Sequence, residues 1–225
     1  MKKILVICTA VLLLGACSSL NNGKKDKFTV EYNSPKIPIT QIEAQFETFL
    51  GAGKLKKSGI NVEYYPKEDA VCLNYTESLS TYNLYWNREN RDAFLKALDG
   101  YKKDYSERNL GKNSRKAKKR YGNTQGYLIW QIQAFGEKYF APCEAEFGYY
   151  FKDGSPYFSV KQNKAEHIKE FNEGNIFTSN EVPLYFTRAQ ADKLAELLDP
   201  YYLRGLLTTD TKIIIDETSV GKDEY

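Results

Sequence analysis

An 18-residue stretch occurs twice in this chain: residues 84–101 align without a gap with residues 184–201. In each copy a short apolar and aromatic segment leads into residues whose apolar positions recur three and four apart. That change of period is typical of a β-strand that runs into an amphipathic helix. Average composition predicts about one chance match, whereas seven aligned pairs are identical: Leu84/Leu184, Tyr85/Tyr185, Arg88/Arg188, Asp92/Asp192, Leu98/Leu198, Asp99/Asp199 and Tyr101/Tyr201.

Both helices carry recognisable end signals. Asn87 is placed to cap the first helix, and Thr187 with Gln190 forms a capping box for the second. Gly100 and Pro200 predict the positions at which the helices stop. These residues define where the helices start and stop. We therefore interpret the duplication as a repeat of the fold rather than as a functional site that occurs twice.

Strand signals precede each helix. Residues 42–50 alternate mainly with period two, although Ile42, Phe46 and Phe49 also share a helical face, so a helix stays open there. The further predicted strands are 60–65, 70–75, 81–86, 127–135, 144–151, 156–162 and 182–186. We therefore predict an α+β fold: an internal duplication of an antiparallel ββββα unit, with the two repeats packed with pseudo-twofold symmetry.

The first 17 residues look like an export signal. Lys2 and Lys3 precede an apolar run of 11 residues, which is too short for a permanent membrane span. The run ends in Leu-Gly-Ala-Cys at residues 14–17, which resembles the lipobox of bacterial lipoproteins. The resemblance implies cleavage before Cys17 and lipidation of its thiol, whereas an ordinary signal peptide with a chance cysteine is the alternative. Two or more acyl chains would anchor the protein stably.

The same resemblance implies a location and a domain organisation. Ser18, rather than aspartate, follows the lipobox cysteine, which implies sorting to the outer membrane, on either its periplasmic or its surface side. We divide the chain into a signal peptide (1–16), a lipidated N-terminus and tether (17–36), repeat 1 (37–101), a basic linker (102–123), repeat 2 (124–202), and a C-terminal strand with a polar tail (203–225).

The order of elements over residues 37–202 resembles the ββββα repeat of PUR and Whirly-type domains. Those families bind single-stranded nucleic acid on aromatic-bearing sheets. An exported protein does not meet nucleic acid in its compartment, and a shared fold does not transfer function. We therefore expect no nucleic-acid partner.

The net charge excludes a general affinity for polyanions. Loss of Lys2 and Lys3 with the signal lowers Lys+Arg from 32 to 30 against 29 Asp+Glu, which leaves a net charge of +1. The linker nevertheless concentrates positive charge, either as a solvated face or as a patch for anionic lipid head groups or acidic glycans. The cations of this patch are Lys112, Arg115, Lys116, Lys118, Lys119 and Arg120.

Cysteine and histidine usage argues against catalysis. After maturation only Cys72 and Cys143 remain besides Cys17, and they either form a disulfide or stay as free buried thiols. The only histidine, His167, lies in a polar stretch. We find no catalytic motif, metal-ligand cluster or cofactor signature, so the expected catalytic residues, metals and cofactors are none. Glu144 and Glu146 lie on the same face of one predicted strand. Their spacing matches no catalytic motif, so we predict that they are surface residues.

Aromatic residues are abundant, with 18 Tyr, 12 Phe and 2 Trp. Tyrosine suits half-buried strands, and the pairs Tyr64-Tyr65 and Tyr149-Tyr150 would place one ring on each strand face. The alternative is a ligand platform in which rings stack on a sugar or base. The amides that would bind the ligand's edges are Asn74, Asn83, Gln131 and Gln133.

These features together predict a membrane-anchored cell-envelope lipoprotein that acts as a non-enzymatic binding or interaction module. Its expected partners are the membrane, through the lipid, and an envelope glycan or another envelope protein. A surface-exposed structural or host-contacting lipoprotein is the alternative, and a glycan-acting enzyme is the least supported hypothesis. The expected location of a specific function is where the two repeats differ, in the basic linker and in residues 163–180.

Overall fold

The computed structural model describes residues 28–31, 33–47, 54–111, 120–134, 136–152, 154–168 and 176–208. Within these ranges the strands are β1 (Ile37–Glu47), β2 (Leu55–Tyr65), β3 (Ala70–Glu77), β4 (Ser80–Trp86), β5 (Gly122–Ile132), β6 (Lys138–Lys152), β7 (Ser155–Gln162), β8 (Glu166–Ile168), β9 (Ile176–Thr178) and β10 (Val182–Phe186). The helices are α1 (Arg88–Ser106), α2 (Arg188–Leu198) and α3 (Pro200–Thr208).

Eight strands close into one antiparallel barrel. Strands β1 to β6 each pair with the next strand along the chain, and β10 closes the barrel between β7 and β1. The pairing of β4 with β5 spans the α1 connection, with Ser80 opposite Ile132 and Tyr85 opposite Tyr127. Each of these eight strands therefore has a hydrogen-bonded neighbour on both sides.

The predicted fold class, an α+β duplication of a ββββα unit, is wrong. The structure is mostly β: one closed eight-stranded barrel with three short helices, rather than two units packed with pseudo-twofold symmetry. The physical reason lies at the strand edges. An open four-stranded meander leaves unpaired N–H and C=O groups on both outer strands, and closure removes those edges. The β4–β5 and β1–β10 pairings therefore join the strands into a single curved sheet.

The barrel interior holds the main hydrophobic core. Alternate residues from all eight strands point inward and pack together. Tyr75 on β3 donates a hydrogen bond to Gln162 Oε1 on β7, which lies on the opposite side of the barrel. Because both side chains are fully buried, this bond satisfies two polar groups that would otherwise be costly inside the barrel.

Helix α1 packs one apolar face onto that core. The Phe94 ring lies 5.5 Å from Trp86, 5.8 Å from Phe147 and 5.6 Å from Phe158, between ring centroids. Burial of a side chain of this size contributes about 1.5–3 kcal/mol. The buried apolar residues of this face are Phe94, Ala97, Leu98 and Tyr101.

The predicted helix starts are confirmed, and one predicted stop is wrong. Asn87 and Thr187 both cap their helices in reciprocal capping boxes, and α2 ends before Pro200, which begins α3. Helix α1, however, continues through Gly100 to Ser106. A Cβ atom at Gly100 would lie 3.0 Å from Tyr121 Cδ1, so this glycine makes room for a packed ring.

The predicted strands are present as β1 to β7 and β10, although β5 ends at Ile132 rather than at residue 135, and residues 42–47 form a strand rather than a helix. The described residues of 163–180 contribute the short antiparallel pair β8–β9. Residues 48–50 and 169–175 and the predicted closing strand at 213–215 lie outside the described residues.

Candidate functional site

Most of the predicted site residues of the N-terminus and linker lie outside the described residues. These are Cys17, Lys112, Arg115, Lys116, Lys118 and Lys119. Arg120 is described: its Nη2 lies 3.0 Å from Glu146 Oε2, and its side chain is 71% exposed. An ion pair this exposed contributes at most about 1 kcal/mol.

The two remaining cysteines are free thiols in the structure. Cys143 points into the barrel interior, whereas Cys72 belongs to a separate cluster on the outer face. The wall of the barrel therefore separates them, and of the two alternatives that the sequence left open the structure shows the unpaired one. Burial raises the pKa of Cys72, and it raises the pKa of Cys143 to about 12.

The outer face of β2 to β5 is partly covered by the residues that precede β1. Val30 is buried against an outer cluster that includes Tyr85 and Ile129, and Phe28 packs edge-on against Tyr127 with ring centroids 6.5 Å apart. Ser34 hydrogen-bonds to Glu68, which holds the end of this segment against the barrel. The segment leaves the neighbouring part of the outer face open.

A row of side-chain amides crosses this open face. Gln41, Asn61, Asn74 and Asn83 lie directly opposite one another on β1, β2, β3 and β4. Gln41 Nε2 donates to Asn61 Oδ1 at 3.1 Å, Asn61 Nδ2 to Asn74 Oδ1 at 3.4 Å, and Asn74 Nδ2 to Asn83 Oδ1 at 2.7 Å. All three bonds run in the same direction, so the row ends at the Nδ2 group of Asn83. We call these four residues the amide row.

The end of the amide row opens into a groove of about 430 Å³. This volume lies within the range of small-ligand sites, about 300–1,000 Å³. The groove is bounded by the segment before β1 on one side and by β6 on the other. Its lining residues are Asn33, Ser34, Lys36, Tyr65, Asn74, Thr81, Asn83, Ile129, Gln131 and Lys138.

Glu63 organises one wall of the groove. Its Oε1 pairs with Lys36 Nζ at 2.7 Å, and its Oε2 accepts a hydrogen bond from the Tyr65 hydroxyl at 3.3 Å. The Tyr65 ring packs edge-on against Tyr85 at 5.2 Å. Burial raises the pKa of Tyr65, so its phenol stays protonated at neutral pH. This wall therefore presents an ammonium group and a neutral hydroxyl at fixed positions.

The groove lining suits a ligand rich in hydroxyl and amide groups. Asn74, Asn83 and Gln131 each carry N–H donors and a carbonyl acceptor, and Thr81 adds a hydroxyl that does both. Ile129 supplies an apolar floor. Lys36, which is paired with Glu63, and Lys138 complete the lining.

Three of the four amides that the sequence suggested, Asn74, Asn83 and Gln131, do line the groove. Gln133 does not: it lies in the exposed turn after β5 and donates its backbone N–H to Leu79. The aromatic prediction holds at Tyr64-Tyr65, whose rings enter the inner and outer clusters respectively. The lining residues that sequence reasoning missed are Asn33, Ser34, Lys36, Thr81, Ile129 and Lys138.

Glu144 and Glu146 are engaged with polar neighbours at the barrel surface. Asn163 Nδ2 donates to Glu144 Oε2 at 3.0 Å and to Glu146 Oε1 at 3.1 Å. Glu146 also pairs with Arg120. Among the residues that the structure describes, no group of three or more His, Cys, Asp or Glu side chains is arranged to hold a metal ion.

The described residues thus form a closed antiparallel barrel with a polar groove on its outer face. A family model described as "Uncharacterised Treponema protein" matches residues 15–204, and the chain belongs to that family. No curated protein and no solved structure matches the chain. In the described part of the chain, none of the helices has the length and apolar character of a membrane span.

Proposed function

We propose that this chain is a lipid-anchored protein of the bacterial cell envelope that binds N-acetylated glycans in the groove without acting on them. The proposal combines the lipobox-like residues 14–17 with the chemistry of the groove lining. It commits to a glycan among the partners that the sequence suggested.

The amide row carries this proposal. Gln41 starts the row as a donor, Asn61 and Asn74 each accept a hydrogen bond at the side-chain oxygen and donate one from the nitrogen, and Asn83 accepts the last bond. Such chains polarise their members, so the last donor is strengthened. That donor is Asn83 Nδ2, which has no hydrogen-bond partner among the described residues. An acetamido group, with its own carbonyl and N–H, complements a side-chain amide in the same plane.

The ionisable groups of the lining favour binding over hydrolysis. They are Lys36, Lys138 and Tyr65, whereas hydrolysis of a glycosidic bond commonly uses a pair of carboxyl groups flanking the bond. We therefore assign recognition to this groove.

The tether would keep the groove close to the membrane. Residues 18–27 span at most about 35 Å when fully extended, and the chain then meets the barrel at residue 28, on the face that bears the groove. The lipid on Cys17 would therefore hold this face within reach of envelope glycans near the membrane surface.

The glycan assignment is tested by calorimetric titration of the purified protein with triacetylchitotriose. We expect saturable binding that Asn83→Ala weakens at least about tenfold, because a strengthened donor in a groove contributes about 1.5 kcal/mol or more. Asn109→Ala, an exposed amide outside the groove, should leave the affinity unchanged. Absence of binding by the wild-type protein, or equal affinities of the wild type and Asn83→Ala, contradicts the assignment.

The anchor is tested separately by Cys17→Ala in cells that express the full chain. We expect loss of labelled-palmitate incorporation and a shift from the membrane fraction to the soluble fraction, since the acyl chains supply the membrane affinity. Cys72→Ala serves as the matched control, because that thiol is buried. An unchanged membrane fraction in the Cys17→Ala strain contradicts the anchor.

A further inference from the structure

Phe140 lies in line with the end of the amide row. Asn83 on β4 is directly opposite Ile129 on β5, and Ile129 is directly opposite Phe140 on β6. Directly paired residues point to the same face of a sheet, so Phe140 stands on the groove side of the barrel wall. Two strand spacings separate Asn83 from Phe140, a distance of about 10 Å.

The Phe140 ring is half exposed but held in place. It is 51% exposed. The His167 ring lies edge-on at 4.6 Å, and Tyr127 lies at 6.4 Å. His167 Nδ1 is also 2.9 Å from the Phe140 carbonyl oxygen. Supported from these sides, the ring presents a fixed apolar surface to solvent at the edge of a polar groove.

A fixed aromatic face beside a row of amides matches the two surfaces of a sugar. The C–H groups on one face of a sugar ring are apolar and meet the electron-rich face of an aromatic ring favourably. The hydroxyl and acetamido groups around its edge need donors and acceptors such as those of Asn83 and Gln131. The distance between Asn83 and Phe140 exceeds the width of one sugar ring, so the two contacts fall on different sugars.

We propose that Phe140, supported by His167, forms a second subsite that stacks on a neighbouring sugar, so that the site takes an oligosaccharide rather than a single sugar. This inference rests on the proposed glycan-binding function. It specifies that the ligand is longer than one sugar, and it assigns a role to His167, which lies in residues 163–180, where the two repeats differ.

The test compares two probes, triacetylchitotriose and the monosaccharide N-acetylglucosamine, on the same purified protein. Phe140→Ala should weaken binding of the trisaccharide about 5- to 10-fold, the equivalent of one lost stacking contact, and leave the monosaccharide affinity unchanged. Phe140→Trp should preserve or strengthen trisaccharide binding, since it keeps an aromatic face. Tyr201→Ala removes an aromatic ring that is 80% exposed on α3 and should change neither affinity.

The outcomes separate the two proposals. If Asn83→Ala weakens both probes while Phe140→Ala changes the two affinities equally or not at all, the groove binds glycan and the second subsite is wrong. If the wild-type protein binds neither probe, both the proposed function and the second subsite are wrong. If Phe140→Trp loses trisaccharide binding to the same extent as Phe140→Ala, stacking is not the role of this ring.

Discussion

Arg91 buries its guanidinium between α1 and the turn that joins β2 to β3. Its side chain is 1% exposed. Its Nη1 donates to the Asp69 backbone carbonyl at 2.5 Å, and its Nη2 pairs with Asp69 Oδ1 at 2.8 Å. Asp69 adopts the left-handed conformation, with φ of 44°. This one aspartate therefore both turns the chain and compensates a buried charge.

Replacement of Asp69 by Asn isolates the electrostatic part of that role. Asparagine tolerates the left-handed conformation and keeps an acceptor for Arg91, so only the compensating charge is lost. We expect the free energy of unfolding to fall by about 2 kcal/mol, measured by urea denaturation. The control is Lys67→Gln, which removes the exposed Lys67–Glu31 pair and should change the free energy of unfolding much less. Equal losses would show that the buried guanidinium does not need the carboxylate.

In the duplicated stretch, the spacing of the identical residues does not predict the contacts that their side chains make. The identical Arg and Asp residues lie four apart on each helix, a spacing at which opposite charges can pair within one helix. In α2, however, Asp192 accepts a hydrogen bond from Lys102 of α1 at 2.8 Å, and the Arg188 guanidinium lies 4.5 Å above the Tyr105 ring. Both contacts join α1 to α2, and neither is visible from spacing along one helix.

At the scale of elements, α1 shows how tertiary contacts override a local signal. Glycine costs about 1 kcal/mol in a helix interior relative to alanine, and Gly100 was therefore a reasonable stop. The helix nevertheless continues, since Tyr121 packs against Gly100 and donates its hydroxyl to Asp104 Oδ2 at 2.8 Å. Another side chain at position 100 would displace that ring.

Two glycine substitutions test this explanation in matched helices. Gly205 in α3 has no atom within 4 Å of a Cβ position, so Gly205→Ala should raise the free energy of unfolding by about 0.5–1 kcal/mol. Gly100→Ala gains the same helix propensity but crowds Tyr121, and we expect no gain or a net loss. Thermal and urea denaturation of the two variants compare them directly. A stabilising Gly100→Ala would refute the packing role of this glycine.

The hairpins illustrate which parts of the site a sequence can predict. Asn74 and Asn83 are nine residues apart on β3 and β4, and the two-residue turn at Ser78 and Leu79 sets them opposite each other. That pairing follows from local turn geometry. Thr81 and Gln131 are also directly opposite, but they are separated by 50 residues and by helix α1. Their register depends on barrel closure.

At the scale of the whole molecule, the barrel encloses or covers many ionisable groups that must stay neutral. Burial raises the pKa of both Cys72 and Cys143. It is also the main cause of raised pKa values in several tyrosines, namely Tyr65, Tyr85, Tyr121 and Tyr185. In each case the folded state holds a proton that the unfolded chain releases at lower pH.

This burial predicts a loss of stability in alkali. Thiols of an unfolded chain ionise near pH 8.5 and phenols near pH 10. Above those values the unfolded state binds fewer protons than the folded state, so the free energy of unfolding falls as pH rises. Each group lowers it by about 1.4 kcal/mol per pH unit until the pKa of the folded state is reached.

Urea denaturation at about pH 7 and about pH 10.5 measures this fall. Tyr85→Phe, which removes one fully buried phenol, should reduce the difference between the two pH values. Tyr201→Phe changes an exposed phenol and should not. Equal stability of the wild-type protein at both pH values would contradict the prediction.

By itself, the sequence determined the strands of the barrel and their order along the chain, the capped starts of α1 and α2 and the hairpin partners, since period, caps and turns act over a few residues. It did not predict α3 or the β8–β9 pair. Those local signals are the same for two packed sheets and for one closed barrel. Only the tertiary structure decided between them, through the β4–β5 and β1–β10 pairings of segments far apart in the chain. The groove and its neighbouring Phe140 follow from that closure, because it sets the register that brings Asn83, Ile129 and Phe140 into line.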